Sequence, residues 1–167
     1  MTGTFQQAVN YDYGFGIPGE IVRDGPVRSH PGLINTGTPA NNVFGRGFTQ
    51  AAAGGTVAAG GTGVFFGLLA NPKQHASFGG AAGPLSPSFA LPNQVVADFA
   101  TFAIIVAQLS TAATIGQQVQ MSQADGSLSI PVVPGTADAA YTLIPAWVED
   151  FPQPTVNDLV LLRVSAQ

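Results

Sequence analysis

Few residues in this chain could do chemistry, and they are scattered. His30 precedes Pro31 and His75 closely follows Lys73; neither has the carboxylate neighbour or paired nucleophile that a general base needs. Cysteine is absent, which removes thiol nucleophiles, thiolate zinc sites and disulfides. Gly14-Phe-Gly16-Ile-Pro-Gly19 spells a G-x-G-x-x-G string, but Pro18 interrupts it, no apolar strand leads in and no helix follows. It reads as a turn-rich loop. Gly61-Thr-Gly63 lacks the Gly-Lys-Ser/Thr of a phosphate-binding loop, and no G-x-S-x-G elbow occurs. Glu149-Asp150 is the one adjacent carboxylate pair, and strand neighbours point to opposite faces, so a solvated loop at a strand end suits it better than a converging acid and base. Asp98 and Asp158 each open an apolar run, where a charge caps a strand or deters edge pairing. The expectation is no catalytic residue, no metal and no cofactor.

Arg23-Asp-Gly-Pro-Val-Arg28 concentrates three charges in a chain that has only five Lys+Arg and nine Asp+Glu among 167 residues. It is either a solvated turn or a polar contact set that orients the chain on a partner, because a charge buried in an interface must be paired and so fixes register. Charged residues make up 8% of the sequence, against about 25% in ordinary soluble domains. Folded, the chain would expose roughly 7,700 Å², or about 550 Å² per charge. Such a surface resists association poorly. A 46% hydrophobic content argues against disorder. A net charge of −4 with scattered basic residues argues against nucleic acid. An assembly protein without catalysis fits best.

The elements that must carry these residues read as β-strands. Residues 1–50 are crowded with turn formers, including Tyr13–Gly19, Asp24–Pro26, His30-Pro-Gly32 and Thr36–Pro39, and predict an extended arm with short strands at Gly19–Arg23 and Val43–Phe48. Residues 51–167 predict a β-sandwich domain. Thr62–Ala70 and Asp98–Leu109 are apolar runs; a helix competes for the second, but run length and residue type favour a strand buried on both faces. Alternation on either side of Asp125-Gly126 predicts a hairpin over Ile115–Val133. Tyr141–Val148 and Asp158–Val164 add two strands, and Pro145 places the former at an edge or a bulge. Ala51–Ala70 carries no charge, yet its six glycines suit a turn and a strand rather than a membrane span. The amino terminus shows no basic and apolar leader. The class is all-β, a sandwich or small barrel.

Several blocks then resemble a known family in order along the chain: Phe15-Gly-Ile-Pro-Gly-Glu-Ile-Val-Arg-Asp-Gly-Pro-Val-Arg28, Asn42-Val-Phe-Gly-Arg-Gly-Phe-Thr49, Gly61-Thr-Gly-Val-Phe-Phe-Gly67, the Gly116–Gly126 hairpin and the closing strand Leu159–Val164. The family is the capsid cement or decoration proteins of tailed bacteriophages. The resemblance implies a jelly-roll-like β domain in the virion, made in the host cytoplasm. It would form a dimer or trimer on the outer head surface and staple neighbouring major capsid subunits, with neither nucleic acid nor membrane as partner. Candidate interface residues are Phe5, Tyr11, Tyr13, Phe15, Arg23, Arg28, Arg46 and Phe48. Two rival readings share the composition. One is a head-fibre or tail base protein; the other is a carbohydrate-binding sandwich using Trp147 and Tyr141, six apart on one strand and so on one face.

Overall fold

The computed structural model describes residues 17–22, 25–71, 90–150 and 159–166. Its strands are β1 (Ile21–Val22), β2 (Arg28–Leu33), β3 (Gly47–Gln50), β4 (Val57–Ala59), β5 (Val64–Leu69), β6 (Val96–Gln108), β7 (Gln118–Ser122), β8 (Leu128–Ser129), β9 (Tyr141–Asp150) and β10 (Leu159–Ser165). All ten join one antiparallel sheet in the order β4-β3-β5-β6-β10-β9-β7-β8, with β1 and β2 also paired to β6. The fold is all-β, as the run of short apolar segments predicts. The uncharged stretch 51–70 forms a turn followed by β4 and β5. No helix among the described residues is long and apolar enough to cross a membrane.

The spine is β6, thirteen residues rich in Phe, Ile, Val and Ala. Its C-terminal half pairs with β10 over Gln108–Phe102, and its N-terminal half with β2 and β5. The expected burial on both faces holds for only part of it. Phe99, Ala103, Ile105 and Ala107 are buried, whereas Val96, Asp98, Phe102 and Gln108 are exposed, because one face packs a core and the other is open along these positions. Two cores form. One is aliphatic and lies on β6, β7, β9 and β10, around Ile105, Met121, Ile144 and Leu162. The other gathers Ile34, Phe44, Phe48, Val57, Leu69, Leu91 and Phe99, with Phe66 packed against it.

Residues expected to form an extended arm with short strands contribute Ile34, Phe44 and Phe48 to this second core. His30-Pro31-Gly32 is strand rather than turn: Pro31 pairs with Asp98 and Gly32 with Ala97. Proline is tolerated because β2 pairs with β6 alone among the named strands described, so its missing N–H breaks no second ladder. Gly32 is required because a Cβ there would sit 2.8 Å from Phe99 and 2.9 Å from Phe66 ring atoms. The division expected at residue 50 falls within the β3–β4 hairpin, where Gln50 pairs with Val57. Strands β1, β2 and β3, all from the expected arm, are therefore built into the sheet through β5 and β6. Pro145 does lie at a bulge: Gln118 opposes Trp147 and Gln120 opposes Leu143, so β9 carries two extra residues there. Gln118 Nε2 fills part of the gap by donating to the Ile144 carbonyl at 3.0 Å.

Candidate functional site

Directly paired residues on neighbouring strands share a sheet face, so the register alone identifies the surface above the aliphatic core. One row of partners runs Ile21–Ile105–Leu162–Val148 across β1, β6, β10 and β9. Ile105 and Leu162 are wholly buried and Val148 nearly so; this is the inner face. The adjacent row runs Val22–Ile104–Arg163–Trp147–Gln118 across β1, β6, β10, β9 and β7. Here Arg163 is exposed and the other four are half-buried. Beside that row, Arg28, Phe102 and Ser165 are paired in turn and all exposed.

This outer face is uncommon for a solvated surface. It presents Ile104 and Trp147 beside Arg163, and Phe102 beside Arg28, and aromatic residues with arginine are the types enriched where proteins bury surface against one another. Arg163 Nε lies 3.4 Å from Glu149 Oε2, with both side chains largely exposed. The pair adds little to stability in water. Trp147 also lines a groove of about 410 Å³ with Ile115, Gln117, Gln118, Pro131 and Pro134, none of them charged. Tyr141, the other aromatic residue expected on this face, opposes Ser122 at the far end of β9. Among the described residues no three His, Asp or Glu side chains gather as a metal would require.

The sequence-derived candidates separate in the structure. Phe48 is wholly buried, its ring 5.0 Å from that of Phe99, so it belongs to the core and offers no surface to a partner. Arg46 is half-buried and turned inward: its Nη1 donates to the Asp125 carboxylate and to the Asp125 carbonyl, both at 3.2 Å. Burial pushes the Asp125 carboxyl upward. Hydrogen bonds from the Ser127 and Ser122 hydroxyls and the Ser127 N–H, together with the Arg46 charge, outweigh it and hold the pKa below the ordinary 3.8. Arg46 thus ties β3 to the β7–β8 turn. Only Arg28 borders the outer face. Phe5, Tyr11, Tyr13, Phe15 and Arg23 lie outside the described residues. Sequence reasoning passed over Ile104, Phe102 and Arg163. The usable signal was Arg163 within Leu159-Val-Leu-Leu-Arg-Val164: one charge inside an apolar strand marks the outward parity for the whole strand, and pairing extends it to its neighbours.

A family model described as structural cement protein (E217 gp24/Pam3 gp6), of phage, matches residues 5–165. A chain from the solved capsid of Myoviridae phage XM1 superposes with a TM-score of 0.67, covering 98% of each chain at 15% identity. At that identity the likeness shows a shared fold. No curated protein matches the sequence.

Proposed function

The chain belongs to the phage structural cement protein family and is a virion structural protein, and we propose that it binds the outer surface of the capsid and cements neighbouring major capsid subunits without catalysis. The observation that carries this reading is the row Val22–Ile104–Arg163–Trp147–Gln118, with Phe102 and Arg28 beside it. A five-strand face places its side chains at fixed spacing, so little conformational freedom is left to lose on docking. Each copy that buries a few hundred Å² of apolar surface gains several kcal/mol, at about 25 cal/mol per Å², before association costs. Multiplied over a shell, such contacts oppose separation of the subunits. Self-association as a dimer or trimer belongs to the same proposal. So do contacts from Phe5, Tyr11, Tyr13, Phe15 and Arg23, which rest on sequence alone.

The test uses heads of the encoding phage prepared without this chain. Wild-type protein should bind in hundreds of copies per head, and Arg163→Glu or Phe102→Asp should weaken binding on the order of tenfold or more. Arg163 is exposed, so its variant should cost the folded state under about 1 kcal/mol. Phe102 is 38% exposed and also loses ring burial, so its variant is compared with wild type well below its own melting temperature. A handful of copies per head, as a tail or head-fibre base would show, contradicts the proposal. So does undiminished binding by both variants.

A further inference from the structure

Next to the outer face, at the groove end of β9, stands a loop with an unusual surface. Val132 is 85% exposed and Val133 58%, and Ile115 across the groove is 62% exposed. Neither 110–117 nor 130–137 contains a charged residue. The loop is nonetheless closely held. At its tip, Thr136 N donates to the Val133 carbonyl at 3.1 Å; Pro134 and Gly135, the latter at φ +77°, take the central positions that a type II turn assigns to these residues. At its base, the Asp138 carboxylate accepts the Val132 N–H at 3.2 and 3.4 Å.

Asp138 is in turn anchored in the protein interior. Gln120, 1% exposed on β7, donates from Nε2 to Asp138 Oδ2 at 2.6 Å and accepts the Asp138 N–H on Oε1 at 2.9 Å. A further bond from the same Nε2 reaches Ser129 Oγ at 3.0 Å. A buried amide thus holds Asp138 at two points, its carboxylate and its N–H, and that carboxylate grips the backbone of Val132, the most exposed large hydrophobic residue among those described. Water disfavours two valines held outward. Fixing them in advance removes the ordering cost that a mobile loop would meet on binding.

We propose that Val132 and Val133 form a preformed apolar knob, positioned by Asp138 on Gln120, that enters an uncharged apolar pocket of the capsid subunit. This rests on the reading of the chain as a capsid-binding protein. The pocket must lack charge, because the knob offers no group to pair one and a desolvated lone charge is heavily penalised. The capsid subunit is the occupant because Trp147 belongs both to the groove beside the knob and to the outer face, which makes the two surfaces continuous.

The experiment compares wild type, Val132→Asp, Asp138→Asn and Arg163→Glu for binding to heads prepared without the chain, with amide exchange at Val132 and sedimentation of the free protein measured in parallel. Val132→Asp should weaken head binding on the order of tenfold or more and leave the melting temperature unchanged. Asp138→Asn should speed exchange of the Val132 amide and weaken binding a few-fold, because an amide side chain has one acceptor oxygen where two are used. If both knob variants bind like wild type while Arg163→Glu does not, the knob proposal fails and the outer-face reading stands. If Val132→Asp instead dissociates an oligomer and still decorates heads, the knob serves a second copy and the proposal is equally overturned. Failure of the wild-type chain to bind would overturn both.

Discussion

The two cores are held by different means. Around Leu162 the strands are long: β10 pairs β6 through seven consecutive residues, and aliphatic side chains from β6, β7, β9 and β10 interleave beneath. Around Phe48 they are short. β3 has four residues and β4 three, the β3–β5 register shifts between Phe48 and Thr49, and the centre is aromatic, with Phe99 5.0 Å from Phe48 and 5.3 Å from Phe66. Glycine makes that second packing possible. A Cβ on Gly67 would lie 2.9 Å from the Ala100 carbonyl oxygen, and one on Gly60 2.8 Å from three backbone atoms of the β7–β8 turn. One region is built from side chains that fill space and the other from backbones close enough to leave none.

Deleting one large side chain from each region tests whether they are also separate in stability. Phe48→Ala removes a wholly buried ring in contact with Phe99 and should cost about 3–5 kcal/mol. Leu162→Ala should cost about 2–5 kcal/mol. Because β6 runs through both cores, calorimetry should show one transition at lower temperature for either variant. Two resolved transitions in Phe48→Ala, with the Leu162 region melting at the wild-type temperature, would show that the cores are independent units.

A finer test separates close approach from backbone conformation. Gly126 and Gly54 have nearly the same φ, +74° and +72°. A Cβ on Gly126 would meet the Gly47 carbonyl oxygen at 2.3 Å and Gly60 N at 2.9 Å, whereas one on Gly54 meets nothing within 4 Å. Left-handed strain alone costs about 1–2 kcal/mol, and Gly54→Ala should cost about that much. Gly126→Ala should cost at least about 1 kcal/mol more by thermal or denaturant melting, since only backbone stands in the way. Equal losses would mean that the turn yields, and that close packing of backbone is not what joins the two regions.

The contrast also explains what the sequence made legible. Alternation and apolar runs act through side chains, so β5, β6, β9, β10 and the Asp125-Gly126 hairpin stand out, and Pro145 signals its bulge. β2 and β4 do not stand out. Their pairing depends on Gly32 lying against two rings and on an edge that accepts Pro31, and both conditions are set by distant residues. Phe48 was misplaced for the same cause: it ends the short strand expected at Val43–Phe48, and no local pattern shows that its ring packs on the distant Phe99. Arg46 looked like a contact because its partner Asp125 is 79 residues away. The outer face needed pairing register as well as parity. Arg163 and Trp147 oppose each other across β10 and β9, which no local pattern specifies.

That Arg46–Asp125 pair is a charged link between the regions, beside backbone bonds such as Gly47 N–H to the Gly126 carbonyl, and pH tests it with the smallest expected effect. The folded state holds the Asp125 carboxyl below 3.8, so it binds its proton less readily than the unfolded chain does. Its contribution is therefore fully present above that value and fades as pH falls through the lower folded-state value. Asp125→Asn should melt slightly below wild type at pH 5–8 by a constant margin, under about 1 kcal/mol, as partly exposed ion pairs usually give. Below about pH 3.8 the margin should shrink as wild type takes up the proton that the amide never needs. A margin that widens on acidification would reverse the sign of the linkage. It would mean that burial, not the hydrogen bonds and Arg46, dominates at Asp125, and that the two regions are joined there by packing instead of charge.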